Sequence, residues 1–346
     1  VRQIDVGILG ATGVVGQQFV SRLAQHPWFR PTWLAASERS EGRPYRAVAP
    51  WRLAAPVPDE IGATNVEACV PGRAPRVVFS ALDASVAGDI EQAFAAAGHF
   101  VVSNARNFRM DPLVPLLIPE VNADHLRLIP EQQTAKSWKG AIVTNPNCST
   151  VVLAMALAPL RRFEITTVVV STMQAVSGAG YPGVPSLDIL GNVVPFISGE
   201  EEKMESETLK ILGTNGGRLP HPAVVSAHTN RVAVLDGHIM TISVDFAMSP
   251  TPEEVVAALE GFRGRPQELN LPSAPNPPII VASEPQRPQP RLDADRGNGM
   301  AISVGRVRPC KVTHTKFVAL GHNTVRGAAG AAILNAELMV AEGVFD

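Results

Sequence analysis

Over the first 150 residues, short apolar runs alternate with stretches of helical periodicity. The runs fall at 4–9, 31–36 (PTWLAA), 76–81 (RVVFSA), 99–103 (HFVVS) and 141–144 (AIVT), and the helical stretches at 14–25 and 88–97. Several runs are continuous rather than alternating, the pattern of parallel strands covered on both faces, so this half reads as a βαβ sheet. The segment 43–65, rich in Pro and Ala, shows no regular period and receives no assignment.

The pattern changes after Pro146. Residues 149–160 (STVVLAMALAPL) predict a buried helix, while 165–172, 231–235 and 239–246 predict strands rich in β-branched residues. A Gly/Pro-rich excursion occupies 177–199, and a charged helix runs from Glu200 to Ile211. The many prolines of 264–292 predict an extended connection or ordered loop. Residues 327–342 combine strong helix formers with a small-residue face, and no internal repeat is present.

A length of 346 residues exceeds one comfortable core, so two domains are expected. The formal charge of −2 and the lack of a dense Lys/Arg run exclude a nucleic-acid partner, although one or two arginines suffice for a small phosphate substrate. Cys69, Cys148 and Cys310 are odd in number and far apart, which argues against a disulfide framework or a zinc site and suits a reducing compartment. No charged leader precedes the first strand, and no apolar run reaches the roughly 18 residues that span a bilayer. Cytoplasmic residence without a membrane partner is the expectation. No HExxH or similar spacing occurs, so no metal is expected.

Gly10-Ala11-Thr12-Gly13-Val14-Val15-Gly16 follows the first strand and opens the first helix. Such glycines allow a tight turn and close approach of backbone N–H groups to a pyrophosphate; the alternative is a purely structural turn. The second strand ends in Ser37-Glu38-Arg39-Ser40. Glu38 would suit NAD, but Arg39 between two hydroxyls is a natural receptor for a 2′-phosphate, and NADP is favoured.

Asn145-Pro146-Asn147-Cys148 sits where a strand ends and an apolar helix begins. A helix N-terminus stabilises a thiolate and can hold an oxyanion, so Cys148 is a candidate nucleophile. The alternative, a small buried hydrophobe, fits Cys69 and Cys310. Of eight histidines, His238 has the best context for a base: Arg231 opens an expected strand, and a turn at Asp236-Gly237 presents the ring. His322, before Asn323, lies close to the final Gly-rich stretch.

Ordered motifs now add specificity. GATGVVGQ (10–17), SERS (37–40), SNARNFRMD (103–111), TNPNCST (144–150), MQAVSGAGYPGV (173–184), GEEEKM (199–204), NRVAVLDGH (230–238) and GHNTVRGAAGAA (321–332) together resemble the aspartate-semialdehyde dehydrogenase family along essentially the whole chain. The MQAVSGAGYPGV form is closest to its archaeal and fungal branch. Ile239-Met240 after the histidine, and Ala233 in place of a proline, depart from that pattern without removing a role-bearing side chain.

The resemblance implies an α/β chain: a Rossmann-type NADP-binding domain at 1–148, an α+β catalytic and dimerisation domain at 149–322, and a C-terminal helix at 323–346 packing back on the first. It implies reversible, NADPH-dependent reductive dephosphorylation of L-aspartyl 4-phosphate to L-aspartate 4-semialdehyde, within amino-acid biosynthesis. Cys148 takes the nucleophile position, His238 the acid/base position and Gln174 that of the residue orienting the acyl intermediate. Arg231 takes the substrate carboxylate, Arg109 and Lys203 the phosphate, and Glu200 the substrate amino group, with Glu201 and Glu202 as neighbours that could replace it. The cofactor set is Gly10, Thr12, Gly13, Val14, Val15, Gly16, Ser37, Arg39, Ser40, Ser177, Gly178 and Asn323. The implied partners are the small substrate, inorganic phosphate and further copies of the chain, as a homodimer or homotetramer. Alternatives are a malonyl-CoA reductase or another acyl reductase of the same fold, N-acetyl-glutamyl-phosphate reductase among them, and a non-catalytic NADP-binding protein.

Overall fold

The computed structural model describes residues 3–345. The N-terminal half builds a sheet from β1 (Ile4–Leu9), β2 (Phe29–Ala36), β3 (Glu67–Ala68), β4 (Val77–Ser80), β5 (Phe100–Ser103) and β6 (Ala141–Thr144). Its order is β3-β2-β1-β4-β5-β6 and every pairing is parallel. The order reverses between β1 and β4, as in a doubly wound Rossmann-type fold, whose ligands lie beyond the C-terminal strand ends at that switch point. β4, β5 and β6 are buried at every position, which is why they read as unbroken apolar runs. The unassigned stretch 43–65 contains two short helices, Tyr45–Val48 and Asp59–Ala63. Tyr45 Oη donates to the carbonyl of Ala11 at 2.9 Å and ties this stretch to the glycine loop.

A second, mixed sheet contains β7 (Ile165–Gln174), β8 (Val224–Arg231), β9 (His238–Phe246), β10 (Ile279–Ala282), β11 (Ile302–Pro309) and β12 (Thr315–Gly321), in the order β10-β11-β12-β9-β7-β8. One face is buried. The other leaves Val169, Ser226, His228 and Thr241 exposed on neighbouring strands. β8 is an edge, yet its outward amides are matched: Ala227 N–H donates to Glu205 at 3.0 Å and Thr229 N–H to Glu201 at 2.9 Å. Both carboxylates come from the helix Glu200–Leu212, which covers an edge that would otherwise invite strand addition.

The chain divides into two compact units. The first takes the stretch up to Leu117, Asp124–Asn145 and the stretch from Ala328; the second takes Ile118–Ala123 and Pro146–Gly327. In the first, the helix Gly330–Ala341 is buried through Met339, and its Glu337 accepts from His26 Nε2 at 2.7 Å. Among the described residues no helix is long and apolar enough to cross a membrane, and no cluster of metal-ligating side chains is found.

Three expectations are corrected. Residues 232–235 are not a strand; Arg231 ends β8 rather than opening a strand, because Val232 N–H bonds back to Gln174 O and Val234 to the Val176 amide. The proline-rich 264–292 holds β10, paired in parallel with β11. Cys310 is not a buried hydrophobe: it sits half-exposed in the turn between β11 and β12, where the Thr313 hydroxyl and the amides of Thr313 and Val312 pull its pKa down to about 6.

Candidate active site

In the second unit the site grows from strand ends. β7 and β8 run parallel and finish in register at Gln174 and Arg231. β9 runs antiparallel to β7 and begins at His238, while β12 ends at Gly321, opposite His238. Sheet geometry thus gathers Gln174, Arg231, His238 and the residues after Gly321 along one edge. Gly237, at φ +96°, makes the turn that returns the chain to His238, and its amide donates to Asn323 Oδ1 at 2.8 Å. Asn323 Nδ2 donates to Ser177 Oγ at 2.8 Å, so one carboxamide ties the 177 loop to that turn.

Cys148 is the first residue of the helix Cys148–Leu157, whose remaining residues are all buried. Asn147 caps it: Oδ1 accepts the Ser149 and Thr150 amides at 2.9 and 3.2 Å. The backbone of Asn147 donates to Glu207 at 2.6 Å and its side chain to Glu200 at 2.9 Å. The thiol therefore starts from a cap held on several sides. His238 Nε2 lies 3.3 Å from Cys148 Sγ, and His238 Nδ1 accepts the Ala175 amide at 3.1 Å. The ring is fully buried, and desolvation, then Arg231, then His322 push its pKa down to about 3.

Arg231 Nη1 donates to Ala175 O at 2.8 Å. Burial lowers its pKa, while Cys148 and Glu200 act in the opposite sense. Glu200 is buried and also meets Ser149 Oγ at 3.4 Å and Lys203 Nζ at 3.4 Å. Gln174, 1% exposed, donates to Thr172 Oγ1 at 3.3 Å. Gly178 lies against both the guanidinium and the imidazole: a Cβ there would lie 2.8 Å from Arg231 Nη1 and 3.0 Å from His238 Nε2. From the other side, a Cβ on Gly327 would lie 2.5 Å from that of Cys148.

The first unit carries the glycine loop at the end of β1. Gly10 has φ +73°, and a side chain on Gly16 would meet Gly10 O at 2.3 Å, so both are needed as glycine. Gly13 caps the helix Val14–Leu23 and is exposed, with Thr12, Val14 and Val15 half-buried around it. The result is an open helix N-terminus that backbone can line closely, which fits a dinucleotide pyrophosphate. After β2, Ser37, Glu38 and Arg39 are exposed and Ser40 is buried. Arg109, on this unit, is buried and donates to Asn104 O at 2.8 Å.

The structure thus brings Cys148, His238, Gln174, Arg231, Glu200, Lys203, Ser177, Gly178 and Asn323 onto the second unit, and Arg109 with the rest of the cofactor set onto the first. Sequence reasoning gave no role to Asn147, Glu207 or Ala175. An Asn directly before a helical apolar run is an N-cap signal, and it was available for Asn147.

Residues 5–129 match the family model for the semialdehyde dehydrogenase NAD binding domain, and 157–326 that for the semialdehyde dehydrogenase dimerisation domain. The chain is similar to an aspartate-semialdehyde dehydrogenase of Archaeoglobus fulgidus, 51% identical over 343 residues, 98% of this chain and 99% of that one. It is also similar to a malonyl CoA reductase (NADP) of Metallosphaera sedula, 40% identical over 354 residues and covering 100% of this chain and 99% of that one. The crystal structure of aspartate semialdehyde dehydrogenase with NADP from Candida albicans matches with a TM-score of 0.90 at 42% identity, covering 99% of each chain.

Proposed function

The chain belongs to the aspartate-semialdehyde dehydrogenase family and carries out that NADP-dependent reaction, and we propose that it does so through a thioester on Cys148, with the roles that follow. The observation that carries this reading is the Cys148 Sγ to His238 Nε2 approach of 3.3 Å at a capped helix start. In the reductive direction the Cys148 thiolate attacks the acyl carbon of L-aspartyl 4-phosphate and expels phosphate. NADPH, when bound by the Gly10–Gly16 loop, Ser37, Arg39 and Ser40 with Ser177, Gly178 and Asn323, supplies the hydride. His238 faces the sulfur and the oxygen attached to the reacting carbon. Collapse of the thiohemiacetal releases aldehyde and returns the thiolate.

Two anionic ends of the substrate need separate partners. Arg231 offers a planar fork to the α-carboxylate, since its bond to Ala175 uses one of five guanidinium N–H groups. Arg109 and Lys203 receive the phosphate. Glu200 receives the ammonium: it is buried beside Asn147 and Ser149, whereas Glu201 is committed to Thr229 and Glu202 is exposed. Gln174, ending β7 next to Arg231, orients the acyl group.

The second unit contains the dimerisation-domain match, and its uncovered sheet face around Val169, Ser226, His228 and Thr241 fits a second copy. A homodimer on this face, alone or as half of a tetramer, is the assembly proposed.

A malonyl-CoA reductase reading is favoured by the similarity to the Metallosphaera sedula protein and by an arginine able to hold a malonyl carboxylate. Against it stands Glu200, a buried anion with no partner on a malonyl group. A side-by-side assay separates the readings. Phosphate-dependent NADP⁺ reduction with aspartate semialdehyde is expected; turnover of malonyl-CoA with none of the semialdehyde would overturn the substrate assignment.

A further inference from the structure

At the tip of the glycine loop, the carbonyls of Gly10, Ala11, Thr12 and Gly13 each accept a hydrogen bond. Gly13 N–H donates to Gly10 O at 3.1 Å and Gln17 N–H to Gly13 O at 2.9 Å, bonds that the main chain makes for itself. The other two donors are side chains. Tyr45 Oη donates to Ala11 O at 2.9 Å, and Gln17 Nε2 donates to Thr12 O at 2.9 Å. Tyr45 is fully buried and Gln17 is 1% exposed, so both bonds are shielded from competition by water.

These contacts decide which way the loop's peptides face. In a planar trans peptide the C=O and N–H point in opposite directions. Holding Ala11 O on Tyr45 therefore turns the Thr12 N–H away from that ring. Holding Thr12 O on Gln17 keeps a second partial negative charge on the buried side of the loop. A pyrophosphate is repelled by carbonyl oxygens and attracted by N–H groups, so the direction of each peptide matters to its binding.

We propose that Gln17 and Tyr45 are positioning residues for the dinucleotide: they hold the Ala11 and Thr12 carbonyls inward, so that the loop offers N–H groups to the pyrophosphate. This rests on the reading of the Gly10–Gly16 loop as part of the NADPH site.

The segment 43–65, which showed no regular period, gains a purpose from this arrangement. Gln17 Nε2 also donates to Pro50 O at 3.2 Å, and Gln17 Oε1 accepts the Arg52 amide at 2.9 Å. Trp51, between those two residues, meets the Tyr45 ring edge-on with centroids 6.3 Å apart. One carboxamide thus fastens the segment carrying Tyr45 to the loop that Tyr45 serves. Only an amide fits here, because one end serves two carbonyls while the other takes an N–H. Glu would set oxygen against oxygen, and Met would supply none of the three bonds. Burial pushes the Tyr45 phenol above the ordinary tyrosine range, so its hydroxyl stays protonated and remains a donor.

Fluorescence titration of the Tyr45→Phe and Gln17→Met full chains with NADPH tests the proposal, with KM for aspartate semialdehyde and the melting temperature measured alongside. Each variant should bind NADPH about fivefold to tenfold more weakly, the effect of one lost hydrogen bond. KM for the semialdehyde at saturating NADP⁺ should stay within about twofold of the parent value. A lower melting temperature with unchanged NADPH affinity in Tyr45→Phe would show a role in stability alone and overturn the proposal. Equal losses for NADPH and semialdehyde would overturn it too, because they mark general damage. Tyr45→Phe keeps the buried ring, so this variant decides the matter if Gln17→Met does not fold.

Gly13→Asp tests the premise separately. Residue 13 has extended backbone at the helix cap, and a Cβ there meets nothing closer than 3.5 Å, so an Asp is accommodated and sets an anion against the pyrophosphate. Parent-like NADPH binding by Gly13→Asp would remove the loop from the cofactor site. Weakened binding by Gly13→Asp, with parent-like binding by the other two variants, would contradict the positioning role alone.

Discussion

Glu207 accepts the main-chain N–H of Asn147 at 2.6 Å, from the same helix whose Glu200 accepts the Asn147 side-chain N–H at 2.9 Å. Two carboxylates about two helical turns apart thus hold the residue that precedes the thiol. Glu207 is 2% exposed, so its removal strands a buried amide at a cost of about 1–3 kcal/mol. Glu207→Ala is expected to lower kcat roughly tenfold, equivalent to ~1.4 kcal/mol in the barrier. Glu207→Gln, which restores an acceptor, should recover most of it. Alkylation rates of Cys148 check the cause: an Ala variant alkylated as fast as the parent chain would remove Glu207 from the account.

Gly178 is a position where a small side chain would disturb two functional groups at once. A methyl group there would sit 2.8 Å from Arg231 Nη1 and 2.9 Å from His238 Cε1, closer than real Cβ atoms approach. Gly178 carries no positive φ, so Gly178→Ala should fold. It is expected to raise KM and lower kcat together, each by about tenfold or more. Unchanged kinetics would mean that the loop yields without moving the guanidinium or the ring.

Much of this is legible in the sequence. The parallel strands declared themselves because β4, β5 and β6 are buried on both faces, leaving no polar positions to break the run. β8 was missed for the opposite reason. Its sequence VVSAHTNR alternates polar side chains on an open face, and its outer amides are matched by Glu201 and Glu205, partners that no local pattern reveals. The apolar 232–235 reads more like a strand, but it forms only irregular backbone bonds with 174–177, and Leu235 is exposed. At the site, side chains with distinctive chemistry such as Cys148, His238 and Arg231 could be named from motifs. Ala175 could not, since it acts through its peptide group.

A buried ion pair in the second unit offers a stability test. Arg326 and Glu120, both fully buried by side chain, meet through two bonds of 2.8 and 2.7 Å. Arg326→Met leaves a carboxylate without its partner, and such a break costs about 3–5 kcal/mol. Urea unfolding should show that loss, and the double variant Glu120→Gln, Arg326→Met should regain part of it. A single variant as stable as the parent would show that the pair contributes nothing net.

His238 makes a pH prediction with a definite sign. Its folded pKa, about 3, lies below the ordinary histidine value of 6.5, so between these values the unfolded chain binds the extra proton. The contribution is intact above pH 6.5 and is lost progressively as the pH falls toward 3. Between pH 7 and pH 5 this one group should remove about 2 kcal/mol of stability. His238→Gln should flatten the profile by that amount in paired unfolding experiments. An identical pH slope in the two proteins would contradict a buried, neutral ring.

The central claim is that an aspartyl group rests on Cys148 between phosphate departure and reduction. Intact-protein and peptide mass spectrometry after mixing with L-aspartyl 4-phosphate in the absence of NADPH tests it most directly. The account predicts an aspartyl adduct on the peptide carrying Cys148, discharged as semialdehyde when NADPH is added and absent from Cys148→Ala. An adduct on another residue, or continued turnover in Cys148→Ala, would contradict it.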